Sequence, residues 1–295
     1  MKKYYLISGS VLLLGALLCL LGYCHQGFKT IASTSSTSPL LVLSDNPHNY
    51  SIKKSFSRAD IDVQDIEVEI RLGSQYQVQV QSQQLLTVTV KQDKLQIKQL
   101  ENNFPQTFQI NNYKKSLGQS RPRLLITLPS KAALKSLNIT AQAPVTISNL
   151  LMQQLHVSGE KSALFLQRTQ IQQQATFNAD ANSIYFNNCQ VHNLISTAHS
   201  SRLTIKQSQL QTMQLQADKL QGQILATEMK GKNKIQATKL NLNCYSDNPD
   251  LSLMINGDTT IYYHQKQYAG SLRRQKSTTN TLEISGDQGL IKIKD

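Results

Sequence analysis

The fold is decided by four short apolar segments, Val145-Thr-Ile147, Leu164-Phe-Leu166, Ile184-Tyr-Phe186 and Leu203-Thr-Ile205. They begin 19, 20 and 19 residues apart. Another apolar residue follows the start of each segment at a fixed offset of seven. These residues are Met152, Ile171, Val191 and Leu210. A spacing that recurs in this way indicates a structural repeat rather than a chance alternation of apolar residues.

Each repeat holds a second short strand, which begins three or four residues after the offset-seven residue. These second strands are Leu155-His-Val157, Ala175-Thr-Phe177, Leu194-Ile-Ser196 and Met213-Gln-Leu215. Helices with apolar residues at three- and four-residue intervals are the alternative, and Gln170 to Phe177 alone fits one. The alternation and the offset recur together four times, which favours strands. Units with two short strands cannot bury a core alone, but stacked units form two continuous sheets, as in β-solenoids.

The segment from Ala59 to Leu100 alternates with period two and contains two predicted turns, Arg71-Leu-Gly-Ser-Gln75 and Lys91-Gln-Asp-Lys94. This pattern is typical of an antiparallel meander. The chain is therefore predicted to be all-β, with a β meander over residues 40–130 that runs into a two-sheet β-solenoid-like stack over residues 131–295. The segment from Asn280 to Ile293 is predicted to form two strands around a Gly-Asp-Gln-Gly turn, as a C-terminal cap.

The N-terminus contains 21 residues without a charge, from Tyr4 to Cys24, preceded by Lys2 and Lys3. This run predicts a transmembrane helix over residues 4–24, with residues 1–3 in the cytoplasm and the C-terminal domain extracellular. A single-pass plasma membrane protein is the resulting expectation, with residues 25–39 as a polar tether. A cleaved signal peptide is the alternative, although the apolar run is longer than most signal peptides have.

The formal net charge is +13, from 31 basic and 18 acidic residues. This charge favours anionic partners such as cell-wall polymer or lipid headgroups. Nucleic acid is disfavoured because the basic residues are scattered along the chain and no nucleic-acid-binding motif occurs.

One basic segment with interleaved aromatic residues lies near the C-terminus. Its candidate contacts to an anionic surface are Tyr262, Tyr263, Lys266, Tyr268, Arg273, Arg274 and Lys276. The alternative is a hairpin with a solvated turn, since charged runs are usually solvated.

Catalytic chemistry is not indicated. Between Lys131 and Ala217 the only acids are Glu160 and Asp180, which belong to different repeats, so paired carboxylates for glycan cleavage are missing. The six histidines lack metal-ligand spacing, and no nucleophile elbow or phosphate-binding loop occurs. We expect no enzyme activity, no cofactor and no metal. Cys189 and Cys244 are either free thiols or one bridge.

The polar residues between the apolar ones are mostly amides and hydroxyls. In a stacked fold they would align on the outer face as amide ladders that stabilise neighbouring strands. Glycan binding by these rows is the alternative. The amides concerned include Gln153, Gln154, Gln172, Gln173, Asn187, Asn188, Gln207 and Gln209.

The order of several short motifs resembles the putative adhesin family of β-strand repeat proteins, a domain of unknown function common in Gram-positive bacteria. The motifs are Ile66-Glu-Val-Glu-Ile70, Tyr76-Gln-Val-Gln-Val80, Leu95-Gln-Ile-Lys98, Ile126-Thr-Leu-Pro-Ser-Lys131, Leu134-Lys-Ser-Leu-Asn-Ile139, Leu282-Glu-Ile-Ser285 and Gly289-Leu-Ile-Lys-Ile293. Members of that family usually have a Ser-Gly-Asp-like turn before the second strand of each repeat. In this chain Ser158-Gly-Glu160 is such a turn.

The resemblance implies an envelope-associated β domain without catalytic residues. The expected function is a cell-surface, membrane-anchored module with a structural or adhesin-like role toward anionic wall polymer, lipid headgroups or an envelope protein. The alternative is an envelope-stress sensor or an accessory subunit of a membrane complex.

Overall fold

The structure is a computed structural model that describes residues 11–21, 30–32, 41–43, 48–52, 54–81, 86–99, 122–129, 134–246, 248, 250–276 and 279–294. The chain forms two compact units, residues 1–46 with 101–120 and residues 47–100 with 121–295. In the first unit, a helix covers residues 11–21, and strands β1 (Thr30–Ala32) and β2 (Leu41–Leu43) form an antiparallel pair.

The predicted transmembrane anchor over residues 4–24 requires correction. The helix described there covers residues 11–21. At about 1.5 Å per residue it is roughly 16 Å long, which is about half of a hydrocarbon layer. No helix among the described residues is long and apolar enough to span a membrane. This finding contradicts the predicted single-pass location in the plasma membrane. Residues 4–10 and 22–24 lie outside the described residues.

The second unit is a 19-stranded mixed sheet. Its strands are β3 (His48–Ser51), β4 (Arg58–Asp62), β5 (Glu67–Gly73), β6 (Gln77–Gln81), β7 (Leu86–Lys91), β8 (Lys94–Gln99), β9 (Arg123–Pro129), β10 (Leu134–Thr140), β11 (Val145–Ser148), β12 (Leu151–Ser158), β13 (Ala163–Gln167), β14 (Gln170–Asn178), β15 (Ala181–Asn187), β16 (Gln190–Lys206), β17 (Gln209–Met229), β18 (Lys232–Ser246), β19 (Ser252–Tyr263), β20 (Lys266–Arg274) and β21 (Thr281–Lys294).

The repeat is confirmed as a stack of parallel rungs. On its first side, Leu155 pairs with Ala175, Ala175 with Leu194, and Leu194 with Met213. On its second side the first residues of the four quoted segments pair in the same way, strand upon strand. Beginning with β16, one long strand runs through both sides, so the two rows of strands form a continuous sheet.

A short third side closes each rung and explains the offset of seven. Ile171 pairs with Val191 and Val191 with Leu210, and all three side chains are buried. The corner before this side has a left-handed residue in five successive rungs, and these residues are Asn149, Arg168, Asn188, Gln207 and Ala226.

A buried small residue follows each corner from Arg168 onward. We call Thr169, Cys189, Ser208 and Thr227 the corner column. The Ser208 hydroxyl donates to the Lys206 carbonyl at 2.7 Å, and the Thr227 hydroxyl donates to the Leu225 carbonyl at 2.9 Å. These bonds satisfy polar groups inside an otherwise apolar core.

The inward side chains of the three sides form one core cluster. Phe177 and Phe186 are its largest fully buried members. Burial alternates along the strands, as in Ala163–Gln167, where Leu164 and Leu166 are buried and Phe165 is exposed. The apolar periodicity of the sequence therefore identified the core.

The predicted antiparallel meander is only partly present. The turn at Lys91 to Lys94 joins β7 and β8 as an antiparallel hairpin, as predicted. However, β4 pairs in parallel with β8 and β10, and β5 pairs in parallel with β9 and β11. These strands are rungs of the stack. Period-two alternation is the same in parallel and antiparallel strands with one wet face, so the pattern could not distinguish them. The predicted boundaries of the tether and the domains stay predictions.

The C-terminal segment also differs from its prediction. It forms one strand, β21, which lies between β18 and β19 and is parallel to both, so that Ile284 pairs with Ile235 on one side and Ile255 on the other. The predicted Gly-Asp-Gln-Gly turn is a corner of this rung. Gly289 has a φ of 139°, and a Cβ there would lie 1.8 Å from the Leu240 carbonyl oxygen. The antiparallel hairpin of β19 and β20 follows β21 in the order of strands.

Candidate binding groove on the β18, β21 and β19 rungs

Two tyrosines flank two lysines across three neighbouring strands on the second side of the stack. Tyr245 of β18 pairs with Lys294 of β21, and Lys292 of β21 pairs with Tyr262 of β19. Ile291 and Ile293 are buried, so the lysines that alternate with them point to solvent. The insertion of β21 therefore places two cations between two aromatic side chains.

These residues border a groove of about 570 Å³. Its lining includes Tyr245, Tyr262, His264, Leu290, Lys292 and Lys294, and the described residues of the lining include no carboxylate. Tyr245 is 43% exposed to solvent. A groove with cationic and aromatic walls suits an anionic ligand that also offers an apolar surface.

Contacts within β19 and β20 orient the rings at one end of the groove. The Tyr262 hydroxyl donates to Gln267 Oε1 at 3.3 Å. Tyr263 contacts the His264 ring edge-on, with ring centroids 4.4 Å apart. The Arg274 guanidinium lies 5.3 Å from the centroid of the Tyr263 ring, which is a cation–π geometry.

The structure does not bring the seven predicted contact residues together. Tyr262 lines the groove. Tyr263 and Tyr268 are partly buried against the core, and Arg274 is stacked on Tyr263. Arg273 pairs with Met254 on the first side. The remaining two, Lys266 and Lys276, are exposed. Whether any of the seven contacts an anionic surface stays a prediction.

Sequence reasoning missed Tyr245, Lys292 and Lys294. The alternation in Leu290-Ile-Lys-Ile-Lys294 already indicates that both lysines share one face of a strand. It contains no information on which strands lie beside them, so the two tyrosines could not be assigned as neighbours.

The remaining reactive groups have structural partners. Among the described residues, no group of three or more His, Cys, Asp or Glu side chains could hold a metal ion. Cys189 and Cys244 are both buried free thiols. Burial raises the pKa of the Cys189 thiol, which donates to the Asn187 carbonyl at 3.4 Å.

Asp60 of β4 and Glu69 of β5 lie on the outer face and contact basic side chains. Asp60 pairs with Lys94, and Glu69 pairs with Arg123 and, at 3.3 Å, with Arg71. A hydrogen bond from the Ser57 hydroxyl lowers the pKa of Asp93 at the β7–β8 turn. These acids stabilise local structure through their basic and hydroxyl partners.

A family model and several solved structures match this chain. A family model described as Toastrack DUF4097 matches residues 56–294. A putative adhesin from Bacteroides fragilis is 14% identical, with a TM-score of 0.35, over 84% of this chain and 96% of that one. A putative lipid binding protein from Parabacteroides distasonis is 14% identical, with a TM-score of 0.32, over 84% and 97%.

A third solved structure, a putative cell adhesion protein from Clostridium sporogenes, is 10% identical, with a TM-score of 0.30, over 84% of this chain and 98% of that one. No curated protein matches the chain.

Proposed function

The chain belongs to the Toastrack DUF4097 family, and from this premise we propose that it is a non-catalytic, adhesin-like binding module whose groove holds an anionic surface polymer. The observation that carries the proposal is the placement of Lys294 and Lys292 between Tyr245 and Tyr262 across three adjacent strands. A polymer that lies obliquely across these strands meets an aromatic ring, two cations and a second aromatic ring in turn.

The charge distribution supports an anionic ligand. Lys292 and Lys294 are exposed, and within the described part of the chain neither forms an ion pair. Their charges therefore remain available to phosphate or carboxylate groups. The net charge of +13 adds a long-range attraction that raises the rate of encounter with a polyanion.

The tyrosines support a polymer rather than a free ion. Each ring offers an apolar face to the backbone of the ligand, and each hydroxyl can accept or donate a hydrogen bond. The groove of about 570 Å³ is long enough in this direction to span three strands. Because strands lie about 4.8 Å apart, the contact extends over roughly 10 Å.

The composition of the groove supports binding without turnover. Hydrolysis of a glycosidic bond by the usual mechanism requires two carboxyl groups beside the bond. The lining of this groove supplies none. Lysine and tyrosine can hold and neutralise the polymer, and the described lining lacks the carboxyl pair that this mechanism needs.

A charge-matched pair of variants tests the proposal. The full-length chain is titrated with poly(glycerol phosphate) in low salt, and K292Q/K294Q is compared with K232Q/K234Q, which removes two exposed lysines from the first side. We expect K292Q/K294Q to weaken binding about tenfold, or about 1.4 kcal/mol, and the control to change it about twofold.

Raising the salt concentration should weaken binding of the unmodified chain and reduce the difference between the two variants, because salt screens exposed charges. Equal losses in both double variants would show that only net charge matters. That result, or unchanged binding by K292Q/K294Q, would contradict the groove as the site.

A further inference from the structure

The short third side of the stack carries a second groove, of about 380 Å³, that the charge argument does not use. Gln170, Gln190 and Gln209 stand one above another along it. We call these three residues the glutamine column. Gln172, His192 and Gln211 lie in a second row beside the column.

The column is held in register by the backbone. Gln170 pairs with Gln190 and Gln190 with Gln209, while the next residue of each strand, Ile171, Val191 or Leu210, is buried in the core. The three amides must therefore point to solvent at the strand spacing of about 4.8 Å. Backbone hydrogen bonds keep this spacing, since the Gln190 N–H donates to the Thr169 carbonyl at 3.0 Å and the Gln209 N–H to the Cys189 carbonyl at 2.8 Å.

The amides of the column are not used to stabilise the stack. Elsewhere an amide pair of the expected kind forms, since Gln154 Nε2 donates to Gln173 Oε1 at 3.0 Å. Within the described residues, the side chains of Gln170, Gln190 and Gln209 make no hydrogen bond to protein. Each has a free carbonyl acceptor and two free donors directed at the groove.

The groove has little net charge. Lys230 at its edge pairs with Glu228 at 3.0 Å, and the other lining residues are uncharged when His192 is neutral. This environment differs from the lysine-rich groove on the second side. A ligand here would be selected by hydrogen bonding and shape, with little dependence on salt.

We propose that the glutamine column binds an uncharged polysaccharide that lies along the stack, one sugar unit to each rung. An amide that donates and accepts side by side matches neighbouring hydroxyl or acetamido groups of a sugar. The rise of an extended 1,4-linked hexose chain is close to the spacing between rungs. Successive sugars of a β-1,4-linked chain face opposite ways, so neighbouring rungs meet different groups, and each amide can bond whichever group it meets because it both donates and accepts. Three or more weak contacts then act together.

The test is a titration of the full-length chain with a β-1,4-linked N-acetylglucosamine hexamer. The variant Q170A/Q190A/Q209A is compared with Q214A/Q216A/Q236A, which removes three exposed glutamines from the first side. We expect the column variant to weaken binding by at least about tenfold and the control to change it less than about twofold, since one hydrogen bond is lost per rung.

Two further measurements separate this site from the anionic groove. Binding of the hexamer should exceed that of the dimer, and it should persist in K292Q/K294Q and in high salt. Absence of hexamer binding would overturn the proposal, as would equal losses in the two triple variants. A column variant that lowers the melting temperature and leaves hexamer binding unchanged would also overturn the proposal, because the amides would then be purely structural.

Discussion

The middle of the stack and its C-terminal end are built from similar rungs in a different order. From β10 to β18 each rung lies on the rung that precedes it in the chain. At the end, β21 is inserted between β18 and β19, although 34 residues lie between Ser246 and Thr281. The last strand of the chain therefore lies inside the stack, and the hairpin of β19 and β20 lies beyond it.

This difference shows how sequence order and binding surface are connected. In the middle, outward residues that neighbour one another come from consecutive repeats, as the glutamine column does. At the end, Lys292 and Lys294 reach Tyr245 and Tyr262 only because the last strand is inserted. The central claim is that this inserted rung builds the groove.

The largest effect is expected from removal of residues 281–295. β18 and β19 then lose their shared partner and four buried side chains, Leu282, Ile284, Ile291 and Ile293, each of which contributes roughly 1.5 to 3 kcal/mol. Hydrogen exchange should show lost protection in β19 and retained protection in β12 to β15. Full protection of β19 would mean that it stacks directly on β18 without the inserted strand.

A smaller but local effect is expected from Gly289→Ala. The added Cβ meets the Leu240 carbonyl oxygen at 1.8 Å, so β21 must move away from β18. We expect a loss of about 3 kcal/mol in the free energy of unfolding, measured by urea titration. Gly270→Ala is the control, since its φ is also positive but the nearest atom is 3.9 Å away, and it should cost about 1 kcal/mol. Equal losses of unfolding free energy in the two variants would show that the close approach to the Leu240 carbonyl is not the cause.

In the regular part of the stack, Ala226→Gly should increase stability. Ala226 has a φ of 45°, which disfavours a residue with a Cβ. Glycine should raise the free energy of unfolding by about 0.5 to 1 kcal/mol in urea titrations. At Asn188, where φ is 54°, the same change should be close to neutral because asparagine tolerates this conformation. Destabilisation at both positions would show that these corners are not strained.

The smallest effect is expected from titration of Cys189 in the corner column. Burial raises the pKa of this thiol, so the unfolded chain loses the proton first. Its contribution to stability is therefore present below the ordinary thiol pKa, about 8.5, and decreases as pH rises above it. The stability of Cys189→Ala should depend less on pH in this range. Identical pH profiles for the two proteins would show that the thiol does not titrate differently on folding.

The sequence alone predicted the rungs of the stack but not the order in which all of them lie on one another. The offset of seven located Ile171, Val191 and Leu210, which the structure places on the third side. Alternation in β4 and β5 identified buried Ile61 and Val68 but could not show that these strands pair in parallel. Pairing between distant strands depends on which edges are open when the stack forms, and no local pattern records it.

The same limit explains the candidate site. The basic and aromatic composition of residues 262–276 indicated a surface near the C-terminus, and Tyr262 does line the groove. The two lysines that complete it lie 30 and 32 residues after Tyr262 in the chain. The corner glycines, Gly286 and Gly289, were interpreted as a hairpin turn because glycine permits both conformations. A rung corner differs from a hairpin turn in the strands that lie beside it, and the sequence does not show those neighbours.

Disulfide trapping of the rung order tests the central claim most directly. Glu283 pairs with Lys234 on one side and with Met254 on the other, so Lys234 and Met254 lie two strand spacings, roughly 9.5 Å, apart. Cα atoms farther apart than about 7 Å cannot be bridged without backbone movement. With peptide mapping after mild oxidation, we predict a bridge in K234C/E283C and none in K234C/M254C. A bridge in K234C/M254C alone would place β19 directly on β18 and contradict the inserted rung.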